Sequence, residues 1–257
     1  MQILENKKIL ITGVLTESSL AFEIAKQAQN EGAEIILTGA GRGLSLTKRS
    51  AKKLVKEPQV LELDVTKPEQ LNAAATELSQ IWDRLDGIVH SIGFAPADCL
   101  GGDILKANWQ DVSTALEIST YSLKALAQYF LPLLRLSESS SIVGLDFDAT
   151  VAWPGYDWMG VAKAALESLT RYLARDLAKD KTRINLIAAG PIRTTAARSI
   201  PGFENFEEVW DKRAPLGWDI KDSLPVAKAT VALLSDLFPA TTGEIIHVDG
   251  GYHAIGA

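Results

Sequence analysis

Short apolar runs and longer amphipathic stretches alternate along this chain. The runs at 8–12, 34–38, 60–63, 87–90, 140–144, 183–187 and 244–248 are too short for helices and read as buried strands. Stretches 19–31, 44–56, 66–83, 109–136, 156–179 and 225–237 carry apolar residues at helical spacing. Their ends agree with that reading. Gly32 suits the position past a helix end, and Thr66-Lys67-Pro68-Glu69 reads as a start with Thr66 at the N-cap. Pro132 is expected to kink or end its helix, and the 44–56 helix reads as a basic surface element. Residues 94–108 and the polar 193–218 segment read as loops. Strict β-α alternation without linker or repeat predicts one α/β domain over 1–257, a doubly wound parallel (Rossmann) sheet of seven strands. Ligands of such sheets sit beyond the carboxyl ends of the strands, so residues just after each strand become the candidates.

Composition narrows the classes. The 257 residues are 47% hydrophobic with a net charge of −6, which fits a soluble globular protein. An acidic chain without a basic patch argues against nucleic acid and against anionic lipid. No apolar run reaches membrane-spanning length, and the N-terminus lacks the apolar core of a signal peptide. The single cysteine, Cys99, allows no internal disulfide and reads as a passive thiol, so a reducing cytoplasm is expected.

The chemistry concentrates in Tyr156-Asp157-Trp158-Met159-Gly160-Val161-Ala162-Lys163. Seven steps at about 100° are nearly two turns, so Tyr156 and Lys163 share a helix face. An ammonium near a phenol eases its proton, which suits a reaction that builds negative charge on a carbonyl oxygen. The plain alternative is a half-buried Tyr with a solvated Lys163 pairing Glu167.

The other strand ends carry ligand-compatible residues. Gly13 permits a tight turn before a helix whose N–H groups suit a phosphate, with Ser18, Ser19 and Leu20 at its start; a serine N-cap without ligand is the plain reading. After the second strand, Gly39-Ala40-Gly41-Arg42 lacks the acidic residue that binds a ribose 2′-hydroxyl. Asp64-Val65 would meet an adenine or serve a turn, and Ser91-Ile92-Gly93 would bring backbone close to a flat ring or ribose. Phe147 would line the pocket or fill the core. Asp146 and Asp148 have no neighbouring His or third carboxylate, so no metal site is expected. Gly190-Pro191-Ile192-Arg193-Thr194 makes a sharp turn with Thr194 placed toward a phosphate.

With Gly13…Ser19, Asp64-Val65, Ser91-Ile92-Gly93, Tyr156-x6-Lys163 and Gly190-Pro191-Ile192-Arg193-Thr194 in line, the chain resembles the enoyl-acyl-carrier-protein reductases of bacterial fatty-acid synthesis. These are a divergent branch of the short-chain dehydrogenase/reductases. His90-Ser91-Ile92-Gly93-Phe94, Asp146-Phe147-Asp148 and Arg213-Ala214-Pro215-Leu216-Gly217-Trp218 are most similar to the mycobacterial, NADH-dependent type. The resemblance implies hydride transfer from NADH to C3 of a trans-2-enoyl thioester. It implies that Tyr156 bonds the enolate oxygen, that Lys163 holds the nicotinamide ribose, and that Phe147 and Met159 wall the hydride path. Ala95 joins Phe147, Tyr156 and Met159 on the substrate side. Gly13, Ser19, Leu20, Asp64, Val65, Ser91, Ile92, Gly93, Lys163, Ile192 and Thr194 line the cofactor. It further implies an acyl-carrier-protein partner and a homotetramer, for which apolar Leu123, Leu126, Tyr129, Leu169 and Leu173 supply second faces on two helices.

NADH is expected over NADPH, because a 2′-phosphate normally wants more than one cation and only Arg42 stands close. Phe147 replaces a second tyrosine of many members, and Ala40 replaces a bulky adenine-side residue. The 194–210 segment is shorter than in mycobacterial relatives. It is expected to be a mobile lid, with Ile200 and Phe203 closing over short to medium acyl chains. Two rivals predict other residues. A carbonyl or alcohol dehydrogenase of the same superfamily wants a Lys where Gly160 stands. A cofactor-binding regulator would have lost Tyr156 or Lys163.

Overall fold

The computed structural model describes residues 2–256, apart from the side chains at positions 199, 205 and 207. Its strands are β1 (Lys8–Ile11), β2 (Glu34–Gly39), β3 (Val60–Glu62), β4 (Gly87–His90), β5 (Ser140–Asp146), β6 (Thr182–Ala189) and β7 (Ile245–Val248). They form one sheet in the order β3-β2-β1-β4-β5-β6-β7, with every neighbouring pair parallel. The expected doubly wound sheet is therefore present. Strand order reverses between β1 and β4, which opens a crevice at their carboxyl ends.

The helices are α1 (Leu20–Asn30), α2 (Gly41–Ala51), α3 (Pro68–Ile81), α4 (Trp109–Leu116), α5 (Ser122–Leu134), α6 (Asp157–Leu177), α7 (Glu204–Arg213) and α8 (Leu224–Leu234). Side-chain alternation along the strands builds a core on each face. Ile9, Ile11 and Leu37 pack with residues of α1 and α8, while Leu10, Ile36 and Ile88 pack with α3, α5 and α6. In α6, Met159, Ala162, Lys163, Leu166, Thr170 and Ala174 form one buried stripe, so the sequence that seats the helix on the sheet also carries Lys163 inward.

Several boundaries differ from the sequence reading. α2 starts at Gly41 and stops at Ala51, and its Thr47 is buried, donating to the Val14 carbonyl at 2.6 Å. Thr66 does not cap α3. Its hydroxyl donates to Asp64 at 2.7 Å, and Lys67 takes the cap position. The single helix expected over 109–136 is two helices joined by a π-helical turn, Glu117–Tyr121. Pro132 sits inside the last turn of α5. The loop expected over 193–218 contains α7. Finally, Leu123 and Leu126 are fully buried in this chain's own core, and Tyr129, Leu169 and Leu173 pack against the same cluster. Leu123 and Leu126 therefore offer no second apolar face, whereas Tyr129, Leu169 and Leu173 are only partly covered.

Candidate active site

Tyr156 stands at the N-cap of α6 and Lys163 two turns on, each only 7% exposed. The Lys163 ammonium donates to the Leu145 carbonyl at 2.8 Å and lies 3.9 Å from Asp146 Oδ1. Burial lowers the pKa of Lys163, and the charge of Asp146 opposes that. Burial, then Asp146, raise the Tyr156 phenol well above its ordinary value. The expectation that Lys163 eases the phenol's proton is therefore not met. Tyr156 is a neutral hydroxyl, suited to donating a hydrogen bond rather than to ionising. Glu167 does not pair with Lys163 but accepts from the Ala149 amide at 3.2 Å.

A strained turn fixes Tyr156. The next residue, Asp157, has φ +38°, and its carboxylate accepts from the Gly102 amide at 2.6 Å. The Gly101 amide donates to Gly155 at 3.1 Å, and a Cβ at Gly155 would come within 2.9 Å of the Pro201 carbonyl. The loop after β4 and the 194–203 segment are thus both packed onto the start of α6. The π-helical turn adds two ties. Ser119 Oγ accepts from the Phe94 amide and donates to its carbonyl, both at 2.9 Å, and Thr120 donates to the Ala162 carbonyl at 2.7 Å. Such turns recur at functional sites, and here one joins the β4 loop to the residue before Lys163.

The four expected substrate-side residues meet. Ala95, Phe147, Tyr156 and Met159 belong to one cluster, together with Leu116 and Ile200. The Phe147 ring meets Tyr156 edge-on at 5.2 Å. Above them lies an aromatic roof that sequence reasoning missed. Trp153 and Phe206 pack on Phe147 at 5.1 and 5.8 Å, and Trp210 stacks on Tyr252 at 3.8 Å. The spacing Phe203-x2-Phe206-x3-Trp210 was a helical signal within the supposed loop. Phe203 already belongs to this roof.

The expected cofactor residues lie along the carboxyl edge of the sheet. Gly13 has φ +82°, and a Cβ there would fall 1.9 Å from the Ser91 carbonyl oxygen. Only glycine lets the ends of β1 and β4 approach this closely. Thr12 locks them, donating to Val89 at 2.9 Å and accepting from the Ser91 amide at 3.1 Å. Ser19 is the N-cap residue of α1, but its hydroxyl accepts from the Leu15 and Thr16 amides rather than capping the helix. Leu20 anchors the helix start in the core.

Ile92 is half-buried and Gly93 exposed in the turn after β4. At the far edge, the Asp64 carboxylate accepts from the Thr66 amide and hydroxyl, and Val65 packs on the core. Ile192 is buried, and Thr194 Oγ1 accepts from the Ala197 amide at 3.0 Å. Thr195 reaches Thr16 at 3.4 Å, so the loops after β1 and β6 touch. These strand ends offer features that suit a dinucleotide: a side-chain-free turn at Gly13, an uncapped helix start at Leu20 and a buried ammonium at Lys163.

Comparison with known proteins agrees. A family model described as Enoyl-(Acyl carrier protein) reductase matches residues 13–253. The enoyl-[acyl-carrier-protein] reductase [NADH] of Mycolicibacterium smegmatis is 49% identical, covering 97% of both chains. That of Mycobacterium avium is 45% identical over 97% of both, and that of Aquifex aeolicus 42% identical over 100% of this chain and 94% of its own. The chain belongs to the enoyl-acyl-carrier-protein reductase family.

Two further buried groups surround the pair in this reductase. His90, at the end of β4, is fully buried, and burial, then the Lys163 charge, push its pKa down to about 3, so it stays neutral. Its Nε2 meets Ser122 Oγ at 2.7 Å while that hydroxyl donates to Ile118, which leaves Nε2 as the ring's donor. The other group is Asp146. Cys99 is buried with a raised thiol pKa, as expected of a passive cysteine. Among the described residues no three His, Cys, Asp or Glu side chains are grouped to hold a metal ion, and no helix is long and apolar enough to cross a membrane.

Proposed function

We propose that this protein reduces the trans-2 double bond of enoyl thioesters, carried on acyl-carrier protein or coenzyme A, with NADH. The observation that carries the reading is the Tyr156–Lys163 pair, buried on one face of α6 beneath the Phe147 and Met159 wall. NADH, when bound, supplies a hydride to C3 of the enoyl group. Gly13, Ser19 and Leu20 would receive the pyrophosphate; Asp64 and Val65 would flank the adenine. Ser91, Ile92, Gly93, Ile192 and Thr194 would line the ribose and nicotinamide end. Lys163 would hold the nicotinamide ribose hydroxyls. Tyr156, a neutral donor, would hydrogen-bond the thioester oxygen as it gains enolate charge, which is where a preorganised donor gains most rate.

Ala95, Phe147, Met159 and the aromatic roof would exclude water and confine the acyl chain, with short to medium chains preferred. The protein is expected to act in the cytoplasm as a homotetramer. Names of the relatives favour NADH, and Arg42 alone after β2 is a thin site for a 2′-phosphate. Steady-state kcat/KM for an octenoyl thioester with each reduced nicotinamide is the test. A clear NADH preference is expected; an NADPH preference would overturn the cofactor assignment.

A further inference from the structure

Asp146 ends β5 with a side chain shielded from solvent, yet neither carboxylate oxygen finds a well-formed hydrogen bond among the described residues. The Phe147 backbone amide helps it only weakly, and a buried carboxylate with so few donors is costly and rare. Its one close cation among the described residues is the Lys163 ammonium, 3.9 Å away, itself buried and donating to the adjacent Leu145 carbonyl. β5 thus presents two consecutive acceptors to Lys163, one from backbone and one from a side chain.

We infer that Asp146 is a positioning residue that keeps the buried Lys163 ammonium charged and aimed at the cofactor ribose. The idea rests on the reading that Lys163 holds that ribose. A buried lysine tends to lose its proton, and the neutral amine is a weaker donor to ribose hydroxyls. An ionised carboxylate beside it opposes that tendency. The surrounding groups are consistent with this role. His90, facing from β4, is neutral and brings no competing charge, and Tyr156 is a neutral phenol on the lysine's own helix. Burial raises the Asp146 pKa to about 7 against the lowering by Lys163, and Glu167 on α6 and Asp148 after β5, the other carboxylates it feels, add to the rise. Above neutrality the ionised Asp146 therefore faces the ammonium.

The experiment titrates NADH affinity against pH, by fluorescence, for wild type, Asp146→Asn, Asp146→Ser and Lys163→Ala. Binding should fall at high pH as Lys163 deprotonates. Removing the carboxylate lowers the lysine pKa further, so in both Asp146 variants this limb should move down by about one to three pH units. Each unit costs about tenfold in affinity above both midpoints. A merely structural aspartate would lower thermal stability and leave the limb in place. An unmoved limb in whichever of the Asn and Ser variants folds overturns the inference. Wild-type NADH affinity in Lys163→Ala would instead overturn the reading of Lys163 on which it rests. Loss of binding in Lys163→Ala with an unmoved limb in the Asp146 variants would leave that reading standing and sink only this inference.

Discussion

At the scale of single residues, the site depends on groups whose chemistry burial has changed. Tyr156 and Lys163 were legible from their spacing, because seven residues return to one helix face. Their protonation was not legible. It depends on Asp146 and on the depth of burial, both tertiary facts. His90 and Thr12 were likewise silent, since their partners Ser122 and Ser91 are brought to them by the fold. Gly13 was legible as a turn residue, but the reason it admits no side chain lies 78 residues away in the Ser91 carbonyl. Gly13→Ala combines a positive φ with a contact of 1.9 Å, so the β1–β4 crevice has to spread. The variant should fold with reduced stability and bind NADH about 5- to 150-fold more weakly, the equivalent of a strained backbone's 1–3 kcal/mol. Calorimetric titration checks this; wild-type affinity would show that the crevice does not hold the cofactor.

At the scale of elements, strands and most helices followed the hydrophobic pattern to within a few residues. Two misreadings are instructive. The 109–136 pattern is helical throughout, and a π-helical turn keeps that periodicity nearly intact while rotating the faces that follow it. The 194–218 segment looked like a loop because Pro201, Gly202 and polar residues dominate its start; its aromatics lie further on, in α7. That helix is seated by Trp210, 2% exposed and stacked on Tyr252, so closure of this region would not begin from an open loop. Truncating a buried Trp costs about 3–5 kcal/mol. Trp210→Ala should lower stability by about that amount in urea unfolding, and raise KM for an octenoyl thioester with NADH affinity unchanged. An unaltered KM would show that the roof does not form the acyl site.

At the scale of the whole molecule, parallel order and the reversal between β1 and β4 explain why residues from six strand ends meet along one edge. Of the apolar residues expected to face other copies of the chain, Leu123 and Leu126 serve this chain's own core. Other apolar residues take their place. Trp109, Tyr121, Val161 and Tyr172 are exposed on or between α4, α5 and α6. Large apolar side chains spread over neighbouring elements suit contact between copies of the chain. Light scattering at micromolar concentration should give a tetramer, and Trp109→Glu with Tyr172→Glu should shift it toward smaller species. A stable wild-type monomer would contradict this.

In the proposed reaction Tyr156 acts on the reacting oxygen after NADH has bound. Octenoyl-thioester reduction and NADH affinity, measured together for wild type and Tyr156→Phe, separate that role from cofactor binding. Wild type should oxidise NADH on mixing with the thioester. Tyr156→Phe should bind NADH normally and lose about 100-fold or more in turnover, the usual cost of removing a preorganised donor. Wild-type turnover in Tyr156→Phe, or no oxidation of NADH by wild type with any enoyl thioester, would contradict the account.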